Sequence, residues 1–152
     1  MTLPVILFVR HLSMSLSSPD LPLVNVEDEL GNFMWGPSTW TFSCIGESPF
    51  GGDLKTNFTC PAPKGTSHEI LKSNILYFQE NWSEIWNSLG VKLSKKIEKF
   101  RHPPTGIRNM YIKFPKESIS ENNWSLEIHF LPRHAFLIKY NNTKIIGTSA
   151  IV

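Results

Sequence analysis

Between Thr66 and His102 the apolar residues of this chain return every three or four positions, and no other pattern in it constrains the fold as much. Leu71, Ile75, Phe78, Trp82, Ile85, Trp86, Leu89, Leu93, Ile97 and Phe100 fall on one stripe of a helix. Ser83, Asn87, Gly90 and Ser94 fall together on the opposite row, which is expected to face solvent. Thr66-Ser67-His68-Glu69 fits a capping box, with the Thr66 hydroxyl accepting from the Glu69 amide. His102-Pro103-Pro104 stops the run. The unbroken phase predicts one long amphipathic helix over about residues 67–100. Such a helix would be about 50 Å long, whereas a compact domain of this size is about 40 Å across. It must overhang or bend, and Gly90 is the weakest point in its length.

On both sides of this stretch the period changes to two. Thr39-Trp40-Thr41-Phe42-Ser43-Cys44 alternates, as does Leu54-Lys55-Thr56-Asn57-Phe58-Thr59-Cys60, and the Gly-rich connection 46–53 between them predicts a hairpin. Beyond the prolines, Met110, Ile112 and Phe114 alternate against Asn109, Tyr111 and Lys113, and Trp124 to Phe130 repeats the pattern. Phe136, Ile138 and Tyr140 follow, then the Asn141-Asn142 turn and a last apolar run from Lys144. The apolar start at residues 3–9 reads as a first strand, because Pro4 and Arg10 argue against a signal peptide. Residues 13–22, rich in Ser and Pro, read as a loop. The order strands, helix, strands predicts an α+β fold over 1–152 as a single domain: an antiparallel sheet with the helix packed across one face.

In the expected hairpin Ile45 pairs near Leu54, so Cys60 lies opposite about residue 39, and more than about 15 Å separates the two thiols. That excludes a disulfide between Cys44 and Cys60. Free thiols, and no run of the roughly 18 apolar residues that cross a bilayer, point to a cytoplasmic protein.

Catalytic and metal signatures are missing from the sequence. The histidines at 11, 68, 102, 129 and 134 are scattered, with no HExxH and no Cys-x-x-Cys, so neither a metal nor a cofactor is expected. No G-x-S-x-G occurs, and both cysteines fall on faces shared with Trp40, Phe42 and Phe58, where a thiol is a small core hydrophobe. Gly51-Gly52-Asp53 lacks the Lys-Ser/Thr of a phosphate loop. These exclusions favour a binding protein over an enzyme, although a site assembled from distant residues stays open.

Two segments are candidate binding surfaces. Residues 27–37 combine Glu27, Asp28 and Glu29 with a Gly31-Asn32 turn and with Phe33, Met34 and Trp35. Aromatic anchors with an acidic rim suit a basic protein partner, so Glu27, Asp28, Glu29, Phe33 and Trp35 form the first candidate. The alternative is a loop whose aromatics fold back onto the sheet. The second segment follows from charge: residues 1–91 carry four Lys/Arg against nine Asp/Glu, and residues 92–152 eleven against four. The stretch 92–116 concentrates that excess in Lys92, Lys95, Lys96, Lys99, Arg101 and Lys113, with Arg108 and Lys116, and Tyr111 can share a strand face with Lys113. Cations interleaved with an exposed aromatic can hold a nucleic-acid backbone and stack a base. The alternative is a solvated helix end whose lysines answer the macrodipole.

In its length, its aromatic-rich helix Tyr77-Phe78-Gln79-Glu80-Asn81-Trp82-Ser83-Glu84-Ile85-Trp86 and its lack of catalytic motifs, the chain resembles the small bacterial immunity proteins of contact-dependent and polymorphic toxin systems. That resemblance implies a non-catalytic intracellular protein that neutralises a toxin domain by binding it. No residue role carries over, and the net charge of +2 departs from the acidity common in proteins that block nucleases.

Overall fold

A computed structural model describes residues 23–47 and 53–151. The run at residues 3–9, the stretch 13–22 and most of the connection 46–53 lie outside the described residues. Eight strands form one sheet: β1 (Val24–Glu27), β2 (Asn32–Trp35), β3 (Thr39–Glu47), β4 (Asp53–Pro61), β5 (Gly106–Lys113), β6 (Asn123–Leu131), β7 (Ala135–Asn141) and β8 (Lys144–Ile151). Their spatial order is their sequence order. Every neighbouring pair is antiparallel except β4 and β5, which run parallel. Two four-stranded meanders therefore meet along one parallel seam. A parallel pair cannot be joined by a tight turn, and the crossover carries both helices, α1 (Glu69–Glu80) and α2 (Trp82–Ile97).

This corrects the expected fold. The protein is broadly α+β, but it is an eight-stranded mixed sheet with two helices rather than an antiparallel sheet crossed by one long helix at 67–100. The break falls at Asn81, not at Gly90, which lies inside α2. Asn81 adopts φ −103° and ψ 13°. Its side-chain amide donates to the Tyr77 carbonyl at 2.9 Å, the same oxygen its backbone N–H reaches at 3.1 Å. A short polar side chain that bonds the preceding turn competes with the regular ladder and bends the helix. The result is two rods of about 18 and 24 Å, which resolves the length conflict. The apolar phase survives the break, since Leu71, Ile75, Phe78, Trp82, Ile85, Trp86, Leu89 and Leu93 are all buried. The capping box also differs: α1 starts at Glu69, whose amide donates to the Ser67 hydroxyl oxygen at 3.1 Å rather than to that of Thr66.

Both helices cover one face of the sheet, and the strand alternation supplies the side chains beneath them. A chain of rings runs from Phe33 to Phe42, Phe58, Phe78, Trp124 and Tyr140, with successive centroids 4.3 to 6.5 Å apart. Those rings belong to five strands and to α1, so the core ties both meanders to the crossover. Asn74, on α1, is buried among them, as is Thr56 on β4. Asn74 donates to the Glu117 carbonyl at 2.9 Å and accepts from the Ile119 amide at 3.0 Å, fixing the β5–β6 connection against α1. Buried backbone groups need partners, and Asn74 satisfies two of them.

The hairpin register sits one residue from the expected one: Ile45 faces Lys55, and Cys60 faces Trp40. Cys44 faces Thr56, four positions along the strand from residue 40, so the thiols remain about 13 Å apart along the hairpin. Both are free and buried. Burial pushes the Cys44 thiol up to about 12 and that of Cys60 up to about 11, so neither is a thiolate near neutral pH.

Two outcomes are expected. Trp82→Ala should cost about 3–5 kcal/mol in denaturant unfolding, while Asn87→Ala, at an exposed position, should shift the midpoint very little; equal shifts would mean that the helix phase is wrong. Cys44 and Cys60 should resist alkylation in the native protein and react together once denaturant unfolds it. Rapid labelling of either thiol in buffer would contradict this burial.

Candidate functional site

Alternation gives each strand a second face, and among the described residues no helix covers that side of the sheet. Its centre is set by the register across β3 to β7. One row reads Ser43, Asn57, Tyr111 and Glu127. The row on one side reads Lys55, Asn109 and His129, and the row on the other reads Thr59, Lys113, Ser125 and Lys139. Strands lie about 4.8 Å apart and same-face residues about 7 Å apart. Tyr111 therefore stands at the middle with a lysine in the row on each side.

The side chains make a shallow cleft of about 340 Å³ lined by Asn57, Thr59, Tyr111, Lys113, Glu127 and His129. Tyr111 is 37% exposed, which is high for a tyrosine in the centre of a sheet. The His129 ring meets it edge-on, with centroids 5.3 Å apart, and His129 Nε2 lies 2.6 Å from Glu127 Oε1. The Ser43 hydroxyl donates to Asn57 Oδ1 at 2.6 Å, which fixes the orientation of that amide. Glu127 is thus engaged by its neighbour, while Lys55, Lys113 and Lys139 are exposed around the tyrosine. A nucleophile would need a base at hydrogen-bond distance, but among the described residues no Ser, Thr or Cys bonds a histidine. Among the described residues, too, no group of three His, Cys, Asp or Glu side chains could hold a metal ion. The cleft presents a π-face, amide and hydroxyl groups, and cations.

The acidic-aromatic segment has a different place. Phe33 and Trp35 alternate inward on β2, 0% and 8% exposed, and Trp35 Nε1 donates to the Ala62 carbonyl at 2.9 Å. As core rings they present no aromatic anchor to a partner, and the alternative of aromatics folded onto the sheet is the one found. The acids sit in the tight β1–β2 turn. The Leu30 amide donates to Asp28 Oδ1 at 2.8 Å, and the Asp28 and Gly31 backbones exchange hydrogen bonds. Gly31 has φ +144°, and a Cβ there would approach the Phe42 ring to 3.1 Å. Asp28 Oδ2 lies 3.0 Å from His68 Nε2 and 3.2 Å from Lys72 Nζ, and Lys72 also pairs with Glu29. The His68 ring packs between Phe33 and Trp40. Asp28, and Glu29 from an exposed position, therefore latch the start of α1 to the first hairpin, and Glu27 is exposed at the end of β1.

The basic stretch is divided. Lys92, Lys95 and Lys96 lie on α2, with Lys99 and Arg101 just beyond it, on the helical side. Lys113 lies on β5 with Tyr111, on the open side. The sheet separates the two groups. Sequence reading joins Lys113 to Tyr111 through their two-residue spacing, but it does not find Lys55, Asn57, His129 or Lys139. Their only sequence signal is a polar position on an alternating strand, and their convergence depends on strand order.

No family model, no curated protein and no solved structure matches this chain. No helix among the described residues is long and apolar enough to cross a membrane.

The latch makes a prediction about acid. Burial raises the Asp28 carboxyl, but hydrogen bonds from the Leu30 amide, His68 and Lys72 outweigh it, and the net shift is downward. A carboxyl held below its unfolded value contributes stability that is fully present above about pH 4 and lost as pH falls through the folded value. Wild-type protein should lose stability below pH 4 more steeply than Asp28→Asn, and the variant should be the less stable at pH 7. Parallel curves for the two proteins between pH 2 and 5 would contradict the latch.

Proposed function

We propose that this is a binding protein rather than an enzyme, and that its open sheet face receives a single-stranded nucleic acid. The observation that carries the reading is the placement of exposed Tyr111 in the middle row, with Lys55 and Lys113 in the rows beside it and Lys139 two strands from Lys113. A base stacks on an aromatic face whatever its identity, and lysines at either side meet the flanking phosphates. Asn57, held by Ser43, and the Tyr111 hydroxyl add groups able to meet a base edge. The surface involves one of the basic residues singled out from the sequence, Lys113. Lys92, Lys95, Lys96, Lys99 and Arg101 act at most as a distant field, since they lie on the other side of the sheet. A protein partner, which the likeness to toxin-neutralising immunity proteins implies, is the competing reading.

Fluorescence anisotropy with labelled single-stranded oligonucleotides separates the two. Binding is expected at low salt, with a slope of about −2 in log K against log salt for three lysines. Tyr111→Ala should weaken it by at least about fivefold. Changing Lys55, Lys113 and Lys139 to Glu should abolish it, whereas the same change at Lys92, Lys95 and Lys96 should have a much smaller effect. Absence of binding at low salt would reject the nucleic-acid reading, and equal sensitivity to both triple changes would reject the open face as its site.

A further inference from the structure

The helical layer is not closed along its whole length. Where the flank of α2 faces β6, a cavity of about 340 Å³ opens between Trp86, Leu89, Leu93 and Ile97 on the helix and Ile128 and Phe130 on the strand. Interiors are close-packed, and voids much larger than a water molecule are few; this one has the volume of about ten waters. Water would be poorly held there. Beyond the six apolar side chains the lining includes Gly90, Ser94 and Glu98, and the Ser94 hydroxyl already bonds the Val91 carbonyl. A water needs two to four polar partners, and away from Ser94 and Glu98 the walls are apolar.

Gly90 makes the opening. It follows Trp86 by four positions and precedes Leu93 by three, so a side chain there would stand on the flank of the stripe. A Cβ added at Gly90 would meet nothing within 4 Å. A glycine inside a helix costs about 1 kcal/mol relative to alanine, and no close packing demands one here. Gly90 and Ser94, expected on the solvent row, are half-buried and exposed respectively, and they line the cavity mouth with Glu98. Glu98 is the one acidic residue among those that line it.

We propose that this cavity is a binding site for a small apolar molecule that carries a hydrogen-bond donor or a cationic group at one end. The apolar body displaces poorly held water from between α2 and β6, and the donor end meets Glu98. A size near 340 Å³ is at the small end of ligand pockets, which suits a body of two or three aromatic rings or a medium-length alkyl chain. The site lies on the helical side of the sheet, independent of the open face and of any nucleic acid bound there.

The test uses the full chain and the neutral arylamine N-phenyl-1-naphthylamine, whose fluorescence rises in apolar surroundings. Wild-type protein should bind it saturably with one site per chain. Gly90→Ala gains the helix propensity without filling the space and should bind within about threefold of wild type. Gly90→Phe fills the mouth and should weaken binding at least tenfold while unfolding as cooperatively as wild type. Displacement by decylamine and by decanol reads the rim: Glu98→Gln should weaken the amine at least fivefold more than the alcohol. Failure of wild type to bind the probe, or undiminished binding by a folded Gly90→Phe variant, overturns the site. Equal effects of Glu98→Gln on the two competitors overturn the polarity assigned to the ligand.

Discussion

Strands β4 and β5 lie side by side and point the same way, and two such neighbours can be connected only by a long excursion over a face of the sheet. Here that excursion contains 28 helical residues, 12 in α1 and 16 in α2, and all of its buried stripe rests on one side. The other side receives nothing from the crossover, and its strands accordingly alternate between apolar residues beneath the helices and polar ones above open space. The direction of one strand pair thus sets which face becomes core and which stays free to meet a ligand.

Within the covered layer the burden of cohesion falls on aromatic rings and on a few well-placed polar groups. Ring contacts carry packing from β2 through α1 to β7, and edge-to-face pairs such as Phe58–Phe78 and Phe78–Trp124 hold preferred geometry. The polar groups work at the margins. Asn74 anchors the β5–β6 connection, Asp28 holds His68 and Lys72, and the Tyr77 hydroxyl donates to Asn142 in the β7–β8 turn at 2.6 Å. Each joins the crossover to a hairpin tip, so α1 is fixed at points where apolar packing alone would leave it free to slide.

Much of the fold was legible because burial leaves a period in the sequence. The strand runs from Thr39 onwards and the stripe from Leu71 to Leu93 are found where their apolar spacing puts them. The strands β1 and β2 were not legible: four residues each, around the acidic turn, are too short to show a period, and Glu27-Asp28-Glu29 reads as solvated loop. Asn81 shows the same limit, since its competing amide acts through one carbonyl and leaves the apolar phase intact. The open face was half legible. Tyr111 and Lys113 share a strand, so their spacing is enough, but Lys55 and His129 reach them only through a parallel register and an antiparallel one. Nothing local in the sequence records either.

The seam between the two meanders has a kinetic meaning as well. Every other neighbouring pair joins strands that follow one another through a turn or a short connection, so its ends start close together. Lys55 and Asn109 are 54 positions apart when they meet, and closing so long a loop must be met in chain entropy before any contact rewards it. Within each four-stranded half the neighbours are joined by turns or short connections, whereas the pairing of β4 with β5 spans the whole crossover. The chain entropy that this fold must overcome in closing long loops is therefore concentrated at one internal boundary, the edge where β4 meets β5.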